Sequence, residues 1–129
     1  SMGGYAGHAG AFGSAQDVLK FSAKLLTGFL SRKVLAEMWT RMPGPPGCAS
    51  FERTLGWDTP SGAEPAFTQH FSPKSVGHLG FTGTSLWIDP ERGLAVTLLS
   101  NRVHPTRENI QIRALRPRFH EAIRLDLGR

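Results

Sequence analysis

The chain has 129 residues, of which 40% are hydrophobic, and this is enough for one domain with one core. Its 15 basic and 10 acidic side chains give a formal net charge of +5, and no stretch approaches the roughly 20 consecutive apolar residues of a membrane span. The single cysteine, Cys48, excludes an intramolecular disulfide and a cysteine zinc cluster, and nothing near it in sequence lowers the pKa of a reactive thiol. We therefore expect no covalent cross-link, no cofactor and no metal.

The first residues indicate where the domain starts. Ser1 and Met2 are interpreted as the remainder of a cleaved expression tag, and residues 3–129 as a single domain. Any targeting segment would lie upstream, so the sequence predicts no cellular location.

Two helices are predicted after a glycine-rich opening. Ser14 and Asp17 have the spacing of a capping box, which predicts a helix over residues 15–27 that ends at Gly28. Ser31 begins a second, short helix, which the prolines and glycines after Met42 end. The apolar stripe of this second helix is expected in the core, and it comprises Val34, Leu35, Met38, Trp39 and Met42.

The middle of the chain predicts a sheet. Residues 55–58 are a short strand candidate, residues 76–88 carry the strongest β signal, and residues 94–100 return after a turn as an antiparallel partner. Pro117 suits the first position of a last helix. We predict an α+β fold in which a small antiparallel sheet of about three strands packs against helices. Three strands leave an open edge, so we also expect homo-oligomers that form by strand pairing or swapping.

Most of the net positive charge lies in the last 28 residues, where seven arginines face three acidic side chains. Its arginines are Arg102, Arg107, Arg113, Arg116, Arg118, Arg124 and Arg129. A solvated helix face is the simplest interpretation, while a surface for an acidic partner is the alternative. Only Phe119 lies among these arginines, so the stacking aromatics of a nucleic-acid site are missing and nucleic acid is not favoured as a partner.

The pattern His78-Leu79-Gly80 is the one candidate for chemistry. The sequence has no Gly-x-Ser-x-Gly elbow, no His-Glu-x-x-His and no phosphate loop, and its five histidines lack metal-ligand spacing. On one strand, His78 and Gly80 share a face, and the backbone N–H after the glycine could bind an oxyanion. A buried strand histidine beside a bulge glycine explains the same residues about as well.

Two segments, Gly77 to Pro90 (GHLGFTGTSLWIDP) and Leu98 to Pro105 (LLSNRVHP), resemble the C-terminal third of serine β-lactamase-like hydrolases. This family includes class C β-lactamases, penicillin-binding D,D-peptidases and serine esterases. The opening Gly7-His8-Ala9-Gly10 is similar to the segment that precedes the box in the same family. The resemblance implies a partial β-lactamase/transpeptidase-like fold.

The family has three active-site boxes, and only the third has a match. Its Lys-Thr-Gly or His-Thr-Gly corresponds to His78-Leu79-Gly80, whereas no serine here has a lysine three residues on and no tyrosine or serine has an asparagine two residues on. The resemblance therefore implies the C-terminal piece of a larger enzyme, inactive alone, whose partner is the missing N-terminal part. A non-catalytic binding or assembly module with a basic C-terminal face is the alternative.

The resemblance also implies roles for the residues of the third box. The Phe81 N–H would be one donor of an oxyanion hole, with Gly80 and Phe81 lining the substrate, which is a small molecule or peptide. His78 would stand where the family has lysine and would bind a substrate carboxylate or tune the local charge. Leu79 replaces the family's hydroxyl residue, which favours an ester or amide over a β-lactam.

Overall fold

The computed structural model describes residues 10–44, 52–61 and 71–128. The interpretations of Ser1, Met2, Cys48 and the opening through residue 9 lie outside these ranges. No helix within them has the length and apolar character that a bilayer crossing requires.

The two predicted N-terminal helices are present. Helix α1 covers Ala15–Leu26, and its capping box is formed: the Ser14 N–H donates to the Asp17 carboxylate at 2.9 Å, and the Asp17 N–H donates to Ser14 Oγ at 3.3 Å. Gly28 follows at φ 103°, a conformation that favours glycine. Helix α2 covers Arg32–Met38 and starts from Ser31, whose Oγ accepts from the Val34 N–H.

The apolar stripe of α2 is buried only in part. Leu35 and Trp39, one turn apart, pack against the core, while Val34 and Met42 are exposed. Helix α2 ends at Met38, so Trp39 is its C-cap and Met42 lies beyond it, and the expectation that the whole stripe lies in the core was wrong for Val34 and Met42.

The sheet has five strands in its described part, not about three. They are β1 Arg53–Thr54, β2 Trp57–Asp58, β3 Val76–Leu79, β4 Ser85–Asp89 and β5 Leu94–Leu98, antiparallel and adjacent in chain order. Two features account for the difference. Residues 76–88 fold into a hairpin rather than one strand, and the segment before residue 55 adds a short strand of its own.

Both faces of the sheet are covered. On one face, Val76 and Ile88 pack with Leu25 of α1. On the other face, Trp87 and Val96 pack with Phe71 and with the apolar residues of helix α3, which covers Ile112–Asp126. Alternation along β4 sends neighbouring side chains to opposite faces, so this strand supplies the centre of both cores. The predicted α+β class is confirmed as three layers, with the sheet in the middle.

Helix α3 begins at Ile112, five residues before the position expected from Pro117. Ile112, Arg116 and His120 recur every four residues and are all buried, so one face of the helix is fixed against the rest of the molecule. Pro117 lies inside the helix and cannot donate to the carbonyl four residues earlier, but Arg113 at that position is exposed, where water can replace the lost donor.

Candidate active site

The His78-Leu79-Gly80 box lies where β3 ends and a tight turn begins. His78 is on the strand, but β3 stops at Leu79, and Gly80 is the first residue of the turn rather than a strand neighbour of His78. The Gly83 N–H donates to the Gly80 carbonyl at 3.0 Å, and the Gly80 N–H donates to the Thr84 carbonyl at 2.8 Å. The sequence analysis placed all of these residues on one strand, so the turn is a finding of the structure.

The turn leaves the Phe81 N–H available. In a β-turn the fourth residue donates back to the first carbonyl, while the N–H groups of the two central residues make no turn hydrogen bond. Phe81 and Thr82 occupy those central positions. Within the ranges that the structure describes, the Phe81 N–H donates to no other residue. This is the group that the resemblance assigns to an oxyanion hole.

Gly83 is required by the shape of the turn. It has a φ of 100°, and a Cβ atom there would lie 2.5 Å from Ser100 Oγ. At Gly80 a Cβ atom would overlap the Thr84 hydroxyl. The two glycines allow the backbone to turn between β3 and β4 in little space.

Arg102 fastens the tip of the turn to the segment before α3. Its Nε donates to the Phe81 carbonyl at 2.8 Å, its backbone N–H donates to the Thr82 carbonyl at 2.8 Å, and its guanidinium carbon lies 4.6 Å from the centre of the Phe81 ring. Its Nη1 donates to the carbonyls of Arg107 and Asn109 at 2.8 and 3.0 Å. One side chain therefore connects two loops that are far apart in the sequence.

Arg116 binds two backbone carbonyls at the base of the same turn. It is 7% exposed, and its Nη2 donates to the Gly80 carbonyl at 3.2 Å and to the Thr84 carbonyl at 3.0 Å. The sequence analysis assigned Arg116 to a solvated helix face, which was wrong for this residue. The available signal was its four-residue spacing from Ile112 and His120, which an assumed helix start at Pro117 concealed.

His78 is exposed at the end of β3. Its register partner is Leu86, and alternation along β3 puts it on the same face as Val76, the face covered by α1 and α2. In the described part of the chain its side chain has no hydrogen bond or ion pair. Because the His78 side chain is exposed, the alternative of a buried structural histidine does not apply to it. The structure thus brings His78 and the Phe81 N–H to the same end of one strand.

Comparison with known proteins identifies the family of the chain. The Beta-lactamase family model matches residues 1–118. The chain belongs to the beta-lactamase family. This confirms the family resemblance stated from the sequence.

Curated relatives of this beta-lactamase family chain come from Salmonella. Proteins of Salmonella agona (strain SL483) and Salmonella typhi, both provisionally named D-alanyl-D-alanine carboxypeptidase, are 34% identical to it over 121 residues. The same identity is found for a protein of that provisional name from Salmonella paratyphi B. Each alignment covers 87% of this chain but 27% of the relative, so the chain spans about a quarter of their length. No solved structure matches the chain significantly.

Proposed function

We propose that this chain is the C-terminal part of a serine acyl-hydrolase and supplies one donor of its oxyanion hole. The observation that carries the proposal is the Phe81 N–H, which is held in a tight turn beside an exposed His78 and makes no hydrogen bond to any described residue. Membership of the beta-lactamase family and the relatives of more than three times this length support it.

The chemistry is acyl transfer. In the longer enzyme a serine outside this chain attacks the substrate carbonyl, whose oxygen becomes negatively charged as the tetrahedral intermediate forms. The Phe81 N–H donates to that oxygen. A single backbone donor of this kind contributes a factor of about 10² to 10³ to kcat, because it is fixed in place before the charge develops.

The electrostatics of the turn favour this role. Arg102 donates to the Phe81 carbonyl, and Arg116 donates to the carbonyls of Gly80 and Thr84, so two positive charges lie at the turn. A guanidinium has no acceptor, so neither arginine binds the Phe81 N–H. Positive charge beside an N–H donor strengthens its interaction with an anion.

His78 lies at the end of β3 beside the turn, in the position where the family has lysine. Its exposed imidazole can bind a substrate carboxylate or tune the local charge. The relatives' name points to a D-alanyl-D-alanine peptide, and such a peptide is an amide, within the ester or amide class that Leu79 favours.

The chain alone is expected to be inactive because its sequence has no Ser-x-x-Lys. Intact mass after incubation with a fluorophosphonate, and separately with a penicillin, tests this. We expect no adduct on the 129-residue chain and a single adduct on the longer polypeptide. A stoichiometric adduct on the chain alone would show a different activated serine and would overturn the proposed division of the enzyme.

A matched pair of variants in the longer polypeptide tests the oxyanion role. Phe81→Pro removes the backbone donor together with the ring, at a turn position that tolerates proline, whereas Phe81→Ala removes the ring alone, so the difference between the two variants reports the donor. We expect kcat to fall by about 10² to 10³ in the first and by no more than a few-fold in the second. Equal rates in the two variants would contradict the role.

A further inference from the structure

We propose that Arg116 is a positioning residue that fixes the direction of the Phe81 N–H. The inference rests on the proposed function only for its catalytic consequence. The structural part concerns one peptide group and the side chain bound to it, so it can be tested separately.

The peptide between Gly80 and Phe81 contains both the carbonyl that Arg116 binds and the Phe81 N–H. The described cis bond is His104-Pro105, so the Gly80–Phe81 peptide is trans, and its C=O and N–H point in opposite directions in one plane. Whatever holds the Gly80 carbonyl therefore also sets the direction of the Phe81 N–H. Because Gly80 has no side chain, its own torsion angles restrict this plane only weakly.

The Gly80 carbonyl is held by two donors. One is the Gly83 N–H within the turn, at 3.0 Å. The other is Arg116 Nη2 at 3.2 Å, and it is the only one of the two that comes from outside the turn. Arg116 also donates to the Thr84 carbonyl at 3.0 Å, so one guanidinium joins the first residue of the turn to Thr84, the residue that follows it.

Arg116 is suited to act as a fixed anchor. It is buried at 7% exposure, and on α3 it lies between Ile112 and His120, which are 7% and 2% exposed. A long side chain enclosed in this way has little freedom to leave its acceptors, and both hydrogen bonds come from one nitrogen, Nη2, at the end of its planar guanidinium.

The hydrogen bond from Arg116 to the Gly80 carbonyl also determines the side of the sheet to which the Phe81 N–H points. Arg116 reaches the Gly80 carbonyl from α3, so the opposite end of the peptide, the Phe81 N–H, points away from α3. His78 lies on the face of the sheet opposite α3, next to Val76. Arg116 thereby directs the Phe81 N–H to the same side of the sheet as His78.

The first experiment measures the orientation of the Phe81 N–H bond in the ¹⁵N-labelled 129-residue chain, from residual dipolar couplings together with amide hydrogen exchange. The variants are Arg116→Gln, which removes the charge and shortens the side chain, and Arg116→Lys, which keeps the charge but ends short of the Nη2 position that contacts the two carbonyls. The control is Arg118→Gln, which removes the same charge from an exposed position of α3.

We expect the Phe81 coupling to change in Arg116→Gln, and the Gly83 amide, which donates to the Gly80 carbonyl, to exchange at least several-fold faster. Arg116→Lys should lie between this variant and the unmodified chain, and Arg118→Gln should leave both values unchanged. If Arg116→Gln does not fold, Arg116→Lys carries the test alone. An unchanged Phe81 coupling in a folded Arg116 variant would overturn the inference.

The second experiment measures kcat and KM for the same substitutions in the longer polypeptide, which separates this inference from the proposed function. A displaced Phe81 N–H with kcat lowered at least tenfold and KM little changed supports both. A displaced N–H with unchanged kcat supports the positioning role and contradicts the oxyanion role of Phe81. An N–H that stays in place overturns the positioning role whatever happens to the rate.

Discussion

Gly77 is the residue on which the placement of β3 against β4 depends most directly. It pairs across the sheet with Trp87, which is completely buried. A Cβ atom at position 77 would lie 2.5 Å from the Leu86 carbonyl oxygen and would overlap the Trp87 ring. The carbonyl belongs to the backbone of β4 and the ring is enclosed by Phe71 and Val96, so neither has room to move.

The expected cost of Gly77→Ala follows from these contacts. Overpacking by a methyl group costs about 1 to 3 kcal/mol in well-packed cores. Complete removal of a buried tryptophan side chain costs about 3 to 5 kcal/mol, which bounds the loss if the Trp87 ring is displaced. Since both neighbours are rigid, we expect about 3 kcal/mol, or a fall in Tm of about 12 °C at roughly 4 °C per kcal/mol.

Urea and thermal unfolding, followed by far-ultraviolet circular dichroism and tryptophan fluorescence, measure this cost. Gly13→Ala is the matched control, because its Cβ would meet Asp17 at an ordinary 3.5 Å, and we expect a change below about 1 kcal/mol there. Gly77→Ala combined with Trp87→Val should recover part of the loss relative to the sum of the single changes. A Gly77→Ala variant as stable as the control would refute the packing of Trp87 over Gly77, and with it the register that places His78.

Four further outcomes are expected. Asp89 accepts from the Ser72 N–H and Oγ at 2.7 Å each and from Arg92 Nη1 at 2.9 Å, so Asp89→Ala should lower the free energy of unfolding by on the order of 3 kcal/mol in urea titrations. Burial raises the pKa of Asp89, but the hydrogen bonds from Ser72 and Arg92 outweigh it and leave this pKa below its ordinary value. Its contribution is therefore present above about pH 4 and lost as the pH falls below that, and Asp89→Asn should flatten the acid limb of a stability-against-pH curve. Ser14→Ala should cost about 1 kcal/mol through loss of the α1 cap, measured in the same way. The chain should self-associate in sedimentation velocity at high concentration, and a single monomeric species would contradict pairing at its sheet edges.

Some elements of the fold were predictable because the information lies close together in the sequence. The capping box of α1 needs only Ser14 and Asp17, and the hairpin of β4 and β5 needs only the turn residues between two β-rich runs. The turn from Gly80 to Thr84 is different. It lies inside a run with strong β propensity, and its shape is stabilised by Arg102 and Arg116, which are 18 or more residues away in the sequence.

Some residues of the site could be selected from nearby sequence, while others are recognised only from contacts between distant segments. The resemblance selected His78 and the Phe81 N–H, because these residues lie within a recognisable box. It did not select Arg116, since a charged residue on an amphipathic helix is expected in solvent unless its acceptors are known, and here the acceptors are backbone carbonyls that no sequence pattern marks.

The basic C-terminal region therefore contains two kinds of arginine. Arg113 and Arg118 are exposed and fit the solvated helix face predicted from charge, while Arg116 on the same helix is buried against the turn that carries the proposed oxyanion donor. Net charge does not distinguish the two kinds, but burial does. If the exposed arginines bound an acidic partner, their replacement would change salt-dependent binding and leave the Phe81 N–H in place. Replacement of Arg116 would do the reverse, because its charge is used inside the fold to orient a peptide group.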